Sequence, residues 1–341
     1  VSQESSIEAA DLAADTDSDD EGNTSAREQD SELDAVLDGL RRTDRRISSK
    51  YHYDERGSEL FERITTLDEY YPTRTERALL ERWMPAWVSD LAPATLVELG
   101  AGSAEKSRVI LDAMVDTGSG RAYVPVDVSS DFLTQTAEAL RSEYPSLEIA
   151  PEVADIAEPL DLPSELPGPR WIAFLGSTLG NFEPNEACSL LRRVAARLRQ
   201  NDHFLLGIDL RPGPKKTAER IELAYNDVQG VTAAFSLNIL NVLNAEFGSD
   251  FDLEGFRHRS VYDRQKGRIE TYLDSVRDQT VQFPGGHSFD IREGEAIRSE
   301  ISAKYDRATI DELFARSGLA VDRWIEDDDG FYALVLAKPL D

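Results

Sequence analysis

The stretch Leu96-Val97-Glu98-Leu99-Gly100-Ala101-Gly102-Ser103 decides the fold. A short apolar strand runs into an acidic residue and then into G-x-G. Glycine at 100 and 102 lets backbone pass close to a ligand, because no Cβ stands in the way. After a helix the chain reads Tyr123-Val124-Pro125-Val126-Asp127-Val128, a second strand ending in a carboxylate. A carboxylate there is placed to accept both ribose hydroxyls of a nucleoside. The dinucleotide fingerprint G-x-G-x-x-G needs a third glycine three residues after Gly102. Glu105 stands there, with Lys106 after it. The loop therefore fits S-adenosylmethionine better than a nicotinamide dinucleotide.

Strands and helices alternate outward from this loop. Thr95–Glu98 reads as a strand, Lys106–Met114 as a helix, Tyr123–Val128 as a strand and Asp131–Tyr144 as a helix. Leu147–Ile149 and Glu152–Val153 flank Pro151 as a short third strand. Trp171-Ile172-Ala173-Phe174-Leu175-Gly176 is a near-continuous apolar run, as expected of a strand buried on both faces. Glu186–Arg199 is an amphipathic helix and Phe204–Leu210 another buried strand. These units predict an α/β fold with a parallel, doubly wound, Rossmann-like sheet.

The alternation then breaks. Ile221–Asp227 and Val231–Phe247 read as two helices, and Phe256–Phe283 alternates like antiparallel strands. Helix Ile310–Ser317 and a strand pair, Val321–Ile325 and Phe331–Leu336, close the chain. The insertion from about Pro212 to Ser302 is a candidate substrate-binding element.

Composition narrows the function. Acids outnumber bases 65 to 37 in 341 residues, a formal net charge of -28. That excludes nucleic acid as an expected partner, since neutralising phosphates takes clustered Lys and Arg. Only seven of the bases are Lys, at 50, 106, 215, 216, 266, 304 and 338. Many acids with scarce Lys look like the proteome of a salt-loving organism, where salt screens self-repulsion. Residues 1–39 hold 13 acids and Arg27 as the one base, and the first aromatic of the chain is Tyr51. Such a segment buries too little surface to offset its ordering entropy, so a disordered acidic tail is expected over 1–39. A helix near Leu33 to Leu40 is expected to dock.

Cys188 is the only cysteine, and no apolar run approaches the roughly 18 residues of a membrane span. The first residues carry neither a basic n-region nor an apolar h-region. The expectation is a cytoplasmic protein with no membrane partner. The four His (52, 203, 258, 287) and Cys188 show no ligand spacing, so no metal is expected. With no long apolar stripe left unassigned, a monomer is expected.

Several further strings are unusual. They are Tyr53-Asp54-Glu55-Arg56-Gly57-Ser58-Glu59-Leu60-Phe61, Glu69-Tyr70-Tyr71-Pro72-Thr73-Arg74 and Gly176-Ser177-Thr178-Leu179-Gly180-Asn181-Phe182. Later come Ala224-Tyr225-Asn226-Asp227, Gly230-Val231-Thr232-Ala233-Ala234-Phe235 and Glu300-Ile301-Ser302-Ala303-Lys304-Tyr305. Together, and in order from about Ser49 to the end, they resemble the histidine-specific methyltransferase family of ergothioneine biosynthesis. The resemblance implies a class I methyltransferase sheet over 75–212 and 305–341. It implies a second, amino-acid-binding domain over 40–74 and 213–304. The implied reaction moves up to three methyl groups from S-adenosylmethionine to the α-amine of L-histidine, giving hercynine.

The same resemblance implies roles for single residues. Glu98, Gly100, Gly102, Lys106 and Asp127 carry over as cofactor-binding, with Asp155 placed for the adenine amino group. Asn181, Tyr70 and Tyr225 carry over as amino-acid contacts, Tyr225 for the carboxylate, and Tyr53 lies close to methyl transfer. Tyr53 and Asn181 are the expected catalytic pair. Glu300 and Ser302 match the pair that holds the imidazole ring; two apart on a strand, they face one side. Thr271 stands where the family's type enzymes have a methionine near that pocket, and its spacing to Glu300 is one residue shorter. A wider or more polar pocket follows, so another amino acid such as tryptophan, or a histidine derivative, is an alternative substrate. An alternative of another class is a non-catalytic cofactor-binding module whose acidic tail recruits a partner.

Overall fold

The computed structural model describes residues 31–156, 158 and 165–340. The expected acidic tail therefore lies outside the described residues up to 30. Residues 31–41 form a helix, α1, whose Val36, Leu37 and Leu40 are buried in an apolar cluster. Residues 31–39 of the expected tail are thus helical, because three apolar residues at helical spacing find a surface to cover.

The central sheet holds β1 (Thr95–Leu99), β2 (Ala122–Asp127), β3 (Glu148–Ile149), β4 (Glu152–Val153), β5 (Arg170–Phe174) and β6 (His203–Asp209). It also holds the late pair β12 (Leu319–Glu326) and β13 (Tyr332–Pro339). Its order is β12-β13-β6-β5-β1-β2-β3, with β4 also on β2. β1 through β6 pair in parallel, and β13 runs antiparallel to both β6 and β12. This is the doubly wound, Rossmann-like sheet expected.

Period-two alternation sorts its side chains into two cores. Val97, Leu99, Ile172, Phe174, Phe204 and Leu206 pack beneath α6 (Pro184–Arg197) and α9 (Arg307–Ser317). Leu96, Trp171, Ala173, Leu205 and Leu334 pack on the other side. That side is covered by α3 (Tyr71–Leu91), α4 (Ser107–Asp116) and α5 (Ser130–Glu143). Each fully buried large apolar side chain contributes about 1.5–3 kcal/mol.

The insertion forms the second body. A three-stranded antiparallel sheet, β11-β8-β7, joins β7 (Phe256–Asp263), β8 (Arg268–Ser275) and β11 (Ala296–Ala303). A hairpin of β9 (Gln279–Phe283) and β10 (His287–Ile291) lies beside it. Helix α8 (Val231–Phe247) is apolar on most sides and is buried accordingly. Its outer half packs with α1 and the strands. Its first turns pack with α2 (Glu55–Thr65) and α7 (Ala218–Ala224).

Helix α3 crosses the expected domain boundary at 74/75. Tyr71 joins the cluster of the inserted body, whereas Leu79, Leu80, Met84 and Trp87 join the core of the main sheet.

Candidate active site

The glycine loop is built by backbone conformation. Gly100 and Gly102 take φ of 68° and 51°, in the left-handed region that favours glycine. A Cβ on either would meet nothing within 4 Å, so the loop has an open face. The Gly100 and Ala101 N–H groups donate to Val126 O at 2.8 and 3.0 Å. Gly102 N–H donates to Asp127 Oδ2 at 3.0 Å, and Ser129 N–H to Oδ1 at 3.1 Å. Asp127 is thereby fixed at the loop, and each oxygen keeps a lone pair for a ligand hydroxyl. Val128 and Val153 beside it are 47% and 53% exposed, offering apolar surface to a purine. Asp155 follows β4, whose Val153 pairs with Asp127, and so reaches the same sheet edge. Loop, carboxylates and apolar flank fit an adenosyl group.

Glu98 and Lys106 hold the loop from beneath. Glu98 shares the Leu96 face of β1, is 3% exposed, and accepts the Tyr123 hydroxyl. Burial pushes its pKa up to about 7. The structure thus puts this expected ligand contact under the loop, bracing it against β2. Lys106 immediately precedes α4, and its Nζ donates to Glu76 Oε2 at 2.7 Å. Glu76, wholly buried on α3, also accepts Gly176 N–H at 2.9 and 3.0 Å and the Tyr332 hydroxyl at 2.8 Å.

The chain after β5 carries the link to the second body. Gly176 and Ser177 take φ of 80° and 59°, which swings the chain into the turn Thr178–Asn181. A Cβ on Gly180 would stand 2.7 Å from Ala303 O, so this turn presses directly on β11. Asn181, next in sequence, is delivered to the seam between the bodies. Glu183 reinforces the seam, accepting from Arg268 Nη1 and Arg298 Nη2, each at 2.7 Å.

On β11, Glu300 lies opposite Thr271 and Ser302 opposite Ile269. Opposed residues in antiparallel strands share a face, so Glu300, Ser302 and Thr271 line one surface. The register shifts between Arg298 and Glu300, and Thr271 keeps its place opposite Glu300. Its hydroxyl, however, is 2.8 Å from Ser260 Oγ on β7. Burial pushes the Glu300 pKa up to about 7, with the Lys304 ammonium opposing.

Three tyrosines converge on this surface. Ring centroids of Tyr70 and Tyr225 are 6.1 Å apart. Phe61 bridges Tyr70 and Tyr53 at 6.2 and 5.8 Å. Tyr53 is set by its neighbours. Asp54 caps α2 through Gly57 N–H at 2.7 Å and accepts Asn238 Nδ2 at 2.7 Å. A Cβ on Gly57 would lie 1.6 Å from His52 O. Tyr70 is set by Arg74, whose Nη1 donates to Leu67 O at 2.9 Å and to Tyr70 O at 3.2 Å. Burial raises the pKa of the Tyr53 and Tyr70 hydroxyls, which keeps them neutral donors near pH 7. Tyr225 caps the end of α7, where a position within that helix was expected. Among the described residues, the polar ends of Tyr53, Tyr70, Asn181 and Glu300 form no hydrogen bond with protein.

Sequence reasoning missed the charges beneath this surface. Asp209 at the end of β6 pairs with Lys304 at 2.8 Å and with Lys216. Lys304 Nζ also donates to Tyr225 Oη and Ser302 Oγ, both at 2.8 Å. The one available signal was an Asp closing the apolar run Phe204–Leu210, at the carboxyl edge where such sheets bind ligands.

A family model described as histidine-specific, S-adenosylmethionine-dependent methyltransferase matches residues 32–339. A histidine N-alpha-methyltransferase of Mycobacterium tuberculosis is 39% identical over 305 residues, 89% of this chain and 93% of that protein. One of Mycolicibacterium smegmatis is 37% identical over 305 residues, again 89% and 93% of the two chains. Ergothioneine biosynthesis protein 1 of Schizosaccharomyces pombe is 32% identical over 263 residues, 74% of this chain and 33% of that protein.

Proposed function

The chain belongs to the histidine-specific, S-adenosylmethionine-dependent methyltransferase family, and on that footing we propose that it methylates the α-amine of L-histidine, up to the trimethylated betaine hercynine, in ergothioneine biosynthesis. The observation that carries the substrate reading is the set of unpartnered polar ends at the seam. Tyr53, Tyr70, Asn181 and Glu300 present donors and acceptors beside a glycine loop suited to the adenosyl group.

When bound, S-adenosylmethionine supplies an electrophilic methyl group on a sulfonium. The protein's part is to hold a neutral amine in line with it. Proximity and orientation of this kind lower a barrier by up to roughly 7–11 kcal/mol. Gly100, Gly102, Asp127 and Asp155 would hold the cofactor, with Glu98 and Lys106 bracing the loop. Asn181 offers an amide that accepts from the amine and donates to the carboxylate. Tyr53 and Tyr70 close the aromatic side of the pocket around the amine. Tyr225 takes the carboxylate, Glu300 accepts the ring N–H, and Ser302 serves the other ring nitrogen.

The acceptor is a small molecule, and no helix among the described residues is long and apolar enough to cross a membrane. We assign the enzyme to the cytoplasm as a monomer that binds no nucleic acid. A second reading keeps the chemistry and changes the amino acid: Thr271, buried opposite Glu300, gives the pocket a small side chain that favours a larger ring such as tryptophan's.

One experiment decides between them. The protein is incubated in low and multimolar salt with S-adenosylmethionine and an equimolar mixture of amino acids, and products are read by mass spectrometry. Up to three methyl groups on histidine alone supports the first reading. Methylation of another amino acid moves the function to the second.

A further inference from the structure

Two lysines share one carboxylate behind the amino-acid pocket. Asp209 meets Lys216 through Oδ1 and Lys304 through Oδ2 at 2.8 Å. Tyr71 donates to the same carboxylate at 3.0 and 2.9 Å. The two ammonium groups and the carboxylate are fully buried. Lys216 directs its hydrogens to Asp209, Leu210 O and Phe331 O. Lys304 directs its three to Asp209, Tyr225 Oη and Ser302 Oγ. The contact cluster therefore holds two cations and one anion. An uncompensated charge in a dry interior is costly unless an anion joins it. Glu300 faces the same cation at longer range, without a hydrogen bond to it.

The hydrogens point the same way. Tyr225 Oη and Ser302 Oγ are 2.9 Å apart, so one donates to the other. Both already accept from Lys304. One hydroxyl hydrogen is left over, so the pair has one donor to give a ligand, backed by a cation. Such a surface fits an anion. The choice of base is informative too, because only seven of the 37 bases are Lys and two of those seven lie in this cluster. A compact ammonium aims its three hydrogens from a single atom at acceptors set around it, whereas a guanidinium spreads its donors over a flat fork.

We propose that Lys304 is a positioning residue that selects the α-carboxylate of the amino-acid substrate, acting through the Tyr225 hydroxyl. The proposal rests on the L-histidine reading above. The substrate carboxylate brings the second negative charge to the cluster. A ligand with the same ring and amine but no carboxylate leaves the excess charge in place.

The test compares L-histidine with histamine, which differ in that carboxylate. Binding of each to protein saturated with S-adenosylhomocysteine is measured by calorimetry for the parent and for Lys304→Met, with thermal melts as a folding check. In the variant, L-histidine affinity falls by about 30-fold or more, histamine affinity changes less than about threefold, and KM for L-histidine rises far more than kcat falls. Equal weakening of both ligands, or unchanged L-histidine affinity, overturns the proposal. If the Met variant fails the melt, Tyr225→Phe, which keeps the Lys304–Asp209 ion pair, takes its place under the same two criteria. A parent protein that binds no L-histidine overturns the substrate reading instead, and the proposal with it.

Discussion

Gly207 on β6 leaves the space that Glu76 occupies: a Cβ at 207 would stand 1.8 Å from Glu76 Oε1 and 2.9 Å from the Tyr332 hydroxyl. Glu76 in turn gathers Lys106, Gly176 N–H and Tyr332. A bare Cα in the middle of a buried strand is thus the condition for a carboxylate beneath the cofactor site.

Gly207→Ala is expected to displace Glu76 from all three partners. Overpacking of this kind costs about 1–3 kcal/mol, visible as a lower midpoint in denaturant. Affinity for S-adenosylhomocysteine should fall as well, because Lys106 and the Gly176 turn lose their common anchor. Calorimetric titration of the folded variant measures that second effect.

Gly180→Ala should act on the other ligand. The added methyl meets Ala303 O at 2.7 Å and Ala303 N at 2.9 Å, which pushes the Asn181 turn off β11. The expected result is a raised KM for the amino acid with cofactor affinity within about twofold of the parent, since a shift near 1 Å at a positioning group costs up to about 100-fold. Steady-state kinetics with each substrate varied in turn separates the two.

Glu300 makes a prediction about pH. Burial raises its folded-state pKa from 4.5 to about 7, the Lys304 ammonium opposing. The folded protein holds this proton where the unfolded chain has lost it, so the Glu300 contribution to stability falls as pH rises from 4.5 and is lowest above about 7. Glu300→Gln should therefore melt with the parent in acid and above it at about pH 8. The parent's L-histidine affinity should gain a component that rises through about pH 7, as the ring acceptor ionises, and the Gln variant should lack it.

Thr271 is expected to matter more to the sheet than to the ligand. Its hydroxyl faces Ser260 Oγ at 2.8 Å, and Thr271→Val leaves that buried partner short of a hydrogen bond. A loss of about 1–2 kcal/mol in denaturant follows, with the KM for L-histidine within about twofold. A much larger change in KM would mean that the hydroxyl serves the substrate.

The main sheet was legible because strands buried on both faces read as continuous apolar runs. Trp171–Leu175 and Phe204–Leu210 could hardly be anything else. The broken third strand was legible from Pro151, which separates β3 from β4. Tyr225 was misplaced by a helical pattern that ran too far. Asp227 accepts Val231 and Thr232 N–H and so starts α8, which obliges α7 to end before Tyr225. The residues proposed for the pocket drew notice through their strings. The charges beneath did not: Glu76 lies in a polar stretch of α3, Lys216 stands just before α7, and Lys304 follows Glu300 and Ser302 with no signal of its own. Each is buried by chain segments distant in sequence, which local pattern cannot register. Asp209 carried a weak positional signal and no more.

Helix α3 meets the proposed amino-acid pocket at Tyr70, its N-cap, and the proposed cofactor site at Glu76, through Lys106. Six residues of α-helix rise about 9 Å. On the proposed reading, the gap between methyl acceptor and methyl donor is thus ruled off on a single stiff rod, like a gauge block between two jaws. Removing or adding one residue between those marks would turn Tyr70 about 100° around the rod. A change of chain length in that interval would reset one proposed site against the other.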